Sequence, residues 1–89
     1  MNARLLHIVN EKGLHARASA KFVEVLEAHD AKAEVCKDGM SVSGDSIMGL
    51  LMLAASKGTD IEIKTSGNEA DKLAAALEQL VADRFGEGY

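Results

Sequence analysis

Proline and tryptophan are absent from this chain, and its only cysteine is Cys36. A lone thiol excludes an internal disulfide and fits a reducing compartment. Aromatic residues number three, Phe22, Phe85 and Tyr89, and no block of lysine or arginine interrupts the acidic balance (10 basic against 14 acidic residues, net charge −4). Both shortages argue against nucleic acid, which calls for a basic footprint and usually for stacking platforms. Long apolar runs are missing too. The longest, residues 50–55, falls far short of the roughly 20 residues that span a bilayer, so no membrane insertion is expected. Arg4 and His7 break up any apolar stretch that would serve as a signal peptide. The expectation is a soluble, cytoplasmic protein.

What is present is ordinary for a folded chain: 47% apolar and 27% charged residues over 89 positions. That length predicts one domain, residues 1–89, with a thin core. No repeat, linker or low-complexity segment divides it.

Residues 4–9, RLLHIV, alternate as a first strand, with Leu6 and Ile8 on one side and Leu5, His7 and Val9 on the other. Residues 16–28 carry Ser19, Phe22, Val23 and Leu26 on one face of an amphipathic helix, opposite Arg17, Ala20, Lys21 and Glu24. Asp38-Gly39 between two short extended runs predicts a hairpin, because both central turn positions need positive φ. Ser46 suits the N-cap of a short apolar helix over residues 46–53, with Leu50 and Leu53 placed to fill the core. TDIEIKTS alternates as a strand with Ile61 and Ile63 inward and Glu62 and Lys64 outward. The last helix runs from NEADKL to DRF, with Asn68 as its cap, Glu69 and Asp71 in its first turn, and an apolar stripe through Ala70, Leu73, Ala74, Leu77, Leu80 and Val81. The order β-α-β-β-α-β-α implies an α+β fold, a two-layer sandwich with the helices on one face of the sheet.

The segment KGLHARASAKF places His15 two residues after Gly13 and at the start of the helical stripe. First-turn N–H groups attract anions there, and Arg17 adds a fixed cation with donors suited to phosphate. Unprotonated imidazole is nucleophilic, so a ring nitrogen of His15 can accept a phosphoryl group whose charge the amides and Arg17 hold. A plainer reading stays open beside it, in which His15 is an exposed residue at a helix start. His7 and His29 read as surface residues, and Cys36 as a small strand residue. The three histidines and one cysteine show no metal-ligand spacing, so no metal or cofactor is expected. Ser46 reads as an N-cap hydroxyl or as a phosphorylation site. Met48 and Met52, with Ile47 and Leu51 beside them, read as an adaptable docking surface or as part of a thin core.

With these residues in view, the chain resembles the HPr family of histidine-containing phosphocarriers of the bacterial phosphotransferase system, including its nitrogen-related branch. GLHARASA is similar to the family's active-site signature, SGDSIMGLLML to its second signature around a regulatory serine, and KGTDIEIKTSGNEADKLAAALEQLV to its last strand and helix. The resemblance implies an open-faced sandwich, a four-stranded antiparallel sheet under three helices. It implies that His15 takes phosphate on Nδ1 from phosphorylated enzyme I and passes it to a histidine of an enzyme IIA protein. Arg17 then contacts the phosphoryl group, and Ser46 is the target of HPr kinase/phosphorylase in bacteria that have it. Ala16, Ala20, Ile47, Met48, Leu51 and Met52 match the shared apolar docking surface. Two departures stand out: Ala18 replaces the proline usual after the arginine, and Asp45 replaces the usual Lys or Asn before the serine. LLML leans towards the nitrogen-related branch and GDSIMG towards conventional HPr.

A stoichiometric carrier, rather than an enzyme turning over alone, follows from this resemblance, with a monomer as the default for a protein that visits several partners. Two other classes compete. One is a regulatory adaptor docking through Met48 and Met52, switched at Ser46 and with His15 idle. The other is an acylphosphatase-like hydrolase, for which no water-orienting Asn or Gln stands beside His15 in sequence.

Overall fold

The computed structural model describes residues 2–89. Strand β1 (Asn2–His7) leads into helix α1 (Ala16–Glu27); strands β2 (Lys32–Lys37) and β3 (Met40–Ser43) precede helix α2 (Ile47–Met52). Strand β4 (Asp60–Ser66) and helix α3 (Ala70–Ala82) follow, and residues 84–86 form a single tight turn. The expected element order is therefore observed. All pairings are antiparallel and the sheet order is β1-β4-β2-β3.

Alternation within the strands divides the sheet into a covered and an open face. Leu6, Ile8, Ala33, Val35, Ile61 and Ile63 point into the core with Phe22, Leu50, Leu73 and Leu77, whereas Leu5 is 68% exposed. α3 packs on β1 and β4, and α1 packs against both α2 and α3. The β2–β3 connection is the predicted two-residue hairpin: Lys37 pairs with Met40, and Asp38 and Gly39 take φ of 49° and 82°. Cys36 shares the open face with Glu34, its thiol 3.5 Å from Ser41 Oγ, so it lies half-buried outside the core.

Three expectations need correction. β1 begins and ends two residues earlier than the apolar run, although Ile8 continues the ladder by donating its N–H to Thr59 O at 2.9 Å and accepting from Gly58 at 2.8 Å. Asn68 is not the α3 cap. Its side-chain amide donates to Asp30 Oδ2 at 2.9 Å, and Glu69 occupies the cap position with its carboxylate turned to the Asp30 N–H, leaving Asp71 as the first-turn acid. Nor does α3 reach Phe85. Arg84 and Phe85 both take left-handed backbone (φ 54°), which ends the helix and drops the Phe85 ring into the core at 0% exposure.

Candidate functional site

The loop after β1 is built to hold His15. Asn10 is fully buried; its Nδ2 donates to Gly13 O at 2.9 Å, and Gly13 N–H donates back to Asn10 O at 3.3 Å. Gly13 takes φ of +64°, and a Cβ there would stand 2.4 Å from Ala55 O and 2.8 Å from Ser56 Cα. Only glycine satisfies both the left-handed backbone and that close approach. Leu14 N–H then donates to Ala55 O at 2.8 Å, while Ser19 Oγ reaches Leu14 O at 3.3 Å from inside α1. The backbone just before His15 is thus tied on both sides.

His15 occupies the N-cap of α1 in extended conformation (φ −80°, ψ −177°), and its carbonyl accepts from Ser19 N–H at 2.8 Å. The N–H groups of residues 16–18 precede the first intrahelical bond, at the end of a helix that favours negative charge. The imidazole makes no capping hydrogen bond. Instead its Nε2 is bonded to Glu87 Oε2, leaving Nδ1 without a hydrogen-bond partner among the described residues. With its side chain 26% exposed, the ring is held yet reachable. Arg17 is exposed, and among the described residues its guanidinium has no ion pair. Ala18 is fully buried in the first turn of α1, where its small side chain packs into the core.

Glu87 and Asn10 are the members of this site that no sequence signal singled out. The Glu87 carboxylate is only 7% exposed and accepts from Asn10 Nδ2 at 3.0 Å as well as from His15. Burial pushes its pKa up, but the hydrogen bonds from Asn10 and His15, with the charges of His15 and Lys12, outweigh burial and hold it below the usual 4.5. Asn10 Oδ1 is buried without a partner. That orientation is nonetheless fixed, since Gly13 O and Glu87 Oε1 are both acceptors and require the NH2.

Beside the histidine runs an apolar surface. Ser46 caps α2 as expected, its Oγ accepting from Gly49 N–H at 3.0 Å, while the adjacent Asp45 carboxylate accepts from Ser43 Oγ at 2.7 Å. Leu50 and Leu53 fill the core, so Ile47 (41%), Met48 (71%), Leu51 (37%) and Met52 (65%) stand in solvent. Of the two readings open for the methionines, exposure is therefore the one observed. An open depression lined by Lys12, His15, Leu51 and Ala54 joins this patch to the imidazole. On α1, Ala16 is exposed and Ala20 half-buried. His7, exposed and bonded to Asp60 at 2.6 Å, and His29, whose Nδ1 donates to Val25 O at 2.7 Å, are engaged in local structure away from His15. Among the described residues no group of three His, Cys, Asp or Glu side chains is arranged to hold a metal ion.

Known proteins resemble this chain in both sequence and fold. Residues 3–83 match the family model described as PTS HPr component phosphorylation site. The chain belongs to the HPr family. It is 46% identical over 83 residues to the phosphocarrier protein HPr of Neisseria meningitidis, covering 93% of each protein. Identity to the phosphocarrier protein HPr of Pseudomonas aeruginosa is 44% over 89 residues, covering 99% of each. Among solved structures, HPr-C-His from Thermoanaerobacter tengcongensis superposes with a TM-score of 0.93 at 33% identity, covering 98% of both chains. The Neisseria meningitidis and Pseudomonas aeruginosa relatives are phosphocarrier proteins, and no helix among the described residues is long and apolar enough to cross a membrane.

Proposed function

We propose that this HPr-family chain works as one carrier domain that accepts a phosphoryl group on Nδ1 of His15 from phosphorylated enzyme I. It then delivers the group to a histidine of an enzyme IIA protein in the cytoplasm. The observation that carries this reading is the asymmetry of the His15 ring: Nε2 is occupied by Glu87, whereas Nδ1 is unbonded. Attack by a ring nitrogen needs a free lone pair, and with Nε2 engaged by Glu87 this reading assigns the attack to Nδ1 of the partly exposed ring.

Arg17 supplies the mobile cation for the new phosphate, since its guanidinium has no competing ion pair among the described residues. The first-turn amides of α1 add a modest hold, about 0.3–1 kcal/mol in an exposed setting. A carrier benefits from a weak grip because it must release what it takes. Ala16, Ala20, Ile47, Met48, Leu51 and Met52 form the surface on which partners seat. Its flexible thioethers suit a protein that docks several of them in turn. Ser46 is the regulatory phosphorylation site of this reading, within the docking surface. A phosphate there would place two negative charges amid apolar contacts and beside Asp45, which opposes docking.

Intact mass after incubation with phosphoenolpyruvate and enzyme I, for wild type and His15→Ala, tests the reading. One added phosphate, labile in acid, stable in base and absent from His15→Ala, is the expected result. Loading by the conventional or by the nitrogen-related enzyme I identifies the branch. Failure with both, each proven active on another carrier, would overturn the role of His15 and favour a docking adaptor. Steady release of inorganic phosphate from a small acyl phosphate would favour a hydrolase.

A further inference from the structure

Residues 83–89 are folded back onto the His15 loop by contacts that have no part in core packing alone. After the left-handed pair Arg84 and Phe85, the Phe85 carbonyl accepts from Lys21 Nζ at 2.6 Å. Two residues on, Glu87 reaches Asn10 and His15; beyond it, Glu11 N–H donates to Tyr89 O at 3.2 Å and the Lys12 ammonium stands 5.9 Å from the Tyr89 ring centroid. Ordering a segment costs conformational entropy and burying a carboxylate costs hydration. Glu87 lies beyond residues 3–83, the stretch that the family model matches.

We propose that Glu87 is a positioning residue for His15, its carboxylate, oriented by Asn10, holding the proton on Nε2 and so keeping the lone pair on Nδ1. This rests on the carrier reading of His15. An ionised carboxylate only accepts hydrogen bonds, so the nitrogen facing it must be the one that carries hydrogen. Which ring nitrogen is protonated is set by the bond the other environment offers, and here Nε2 is given the acceptor. Asn10 cannot reverse the arrangement, because its NH2 is claimed by Gly13 O at 2.9 Å and by Glu87 Oε1 at 3.0 Å.

The consequence for transfer is direct. The Nδ1 lone pair forms the new N–P bond while the P–N bond of the donor phosphohistidine breaks, its electron pair returning to the donor ring. Nε2 keeps its proton throughout, so the loaded ring is a cation whose charge Glu87 faces. In the return step the N–P pair goes back to Nδ1 and neutral imidazole leaves, which makes release easier than from an uncharged phosphorylated ring. The depressed pKa of Glu87 agrees with this use, since the carboxylate is ionised whenever the ring is ready to react.

Nitrogen-detected NMR of the His15 ring, at a pH that keeps it neutral, paired with single-turnover loading from phosphorylated enzyme I, tests the assignment. Wild type is expected in the Nε2–H form with a protected ring proton. Glu87→Ala should lose that protection and load about tenfold more slowly at saturating donor, the size of one oriented hydrogen bond, with the donor concentration for half-maximal rate unchanged. Glu87→Gln is the sharper variant. Asn10 would claim its single oxygen, its NH2 would face Nε2, and the ring would invert to the Nδ1–H form. Loading should then fall about a hundredfold, since a wrong tautomer can cost still more in enzymes that depend on one. Amide spectra report whether each variant is folded. Ring nitrogen shifts that are the same in all three chains, or a Gln variant that loads as fast as wild type, would overturn the proposal. A wild type that accepts no phosphate would be a failure of the carrier reading, and the nitrogen spectra would still decide whether Glu87 sets the tautomer.

Discussion

A Cβ on Gly13 would stand 2.4 Å from the carbonyl oxygen of Ala55, the same oxygen that accepts the Leu14 N–H at 2.8 Å. Two distant segments therefore meet backbone to backbone one residue before His15. Gly13→Ala adds the penalty of a side chain at φ +64° to an overlap with main chain that cannot turn aside. The expected cost is about 2–4 kcal/mol, combining left-handed strain with overpacking. Denaturant unfolding measures it, and phosphate loading should fall with it, because the loop that presents His15 is displaced. A loss below about 0.5 kcal/mol, the scatter of neutral surface changes, would show that the close approach relaxes freely.

Ala54 offers the opposite sign. It holds φ of 52° without being glycine, in the turn that delivers the Ala55 carbonyl to Leu14. Ala54→Gly relieves roughly 1 kcal/mol of left-handed strain and gives back part of it as extra unfolded-state freedom. A net gain of about 0.5 kcal/mol is expected, read as a higher midpoint in urea at unchanged slope. Loading of His15 should not change.

Much of this architecture is legible in the sequence because periodicity reports burial. The alternation of Ile61 and Ile63 with Glu62 and Lys64, the Asp38-Gly39 turn and the Ser46 cap are each local signals that the fold obeys. His15 and Arg17 are visible for the same reason, since a helix stripe begins beside them. Other features depend on residues far apart. Glu87 meets His15 across 72 positions and Asn10 across 77, a pairing that no local pattern encodes. Asn68 misleads because its amide has a better partner, Asp30, than the helix it precedes. α3 stops before Phe85 where Arg84 and Phe85 turn left-handed and the Phe85 ring enters the core, a burial that local periodicity does not encode.

Glu87 carries a pH signature. Its folded pKa lies below 4.5, through the bonds from Asn10 and His15 and the charges of His15 and Lys12, which outweigh its burial. A depressed carboxylate contributes stability that is fully present above its unfolded value and is lost as pH falls through the folded one. The stability that the carboxylate adds to wild type over Glu87→Gln should therefore be present at pH 4.5 and shrink as pH drops below it. Unfolding of both chains across that range checks the sign. A difference that grows towards acid would mean that the carboxylate is held against its preference.

Arg17 should separate chemistry from stability. It is exposed and its guanidinium has no ion pair among the described residues, so Arg17→Ala is expected to change stability by less than about 0.5 kcal/mol. Loss of a charged donor to the developing phosphate should still slow loading by about a hundredfold. Rapid-quench loading with equal midpoints in urea would fulfil both halves. Equal loading rates would leave the helix amides as the sole anion hold.

The apolar patch makes the last prediction. Met48 and Met52 are 71% and 65% exposed, one turn apart on α2, and the core beneath them is already closed by Leu50 and Leu53. Replacing either with aspartate removes no buried contact, so stability should move by less than about 0.5 kcal/mol. A partner seated on this face must instead bury an unpaired carboxylate, which opposes binding by about 1–3 kcal/mol, or roughly tenfold to a hundredfold in affinity. Titration of enzyme I with Met48→Asp and Met52→Asp, against wild type, measures that loss. Because His15 and its loop are untouched, loading at saturating enzyme I should recover towards the wild-type rate. Weakened binding with a preserved maximal rate assigns the methionines to docking. An unchanged affinity would move the docking surface elsewhere, to the Ala16 and Ala20 side of α1.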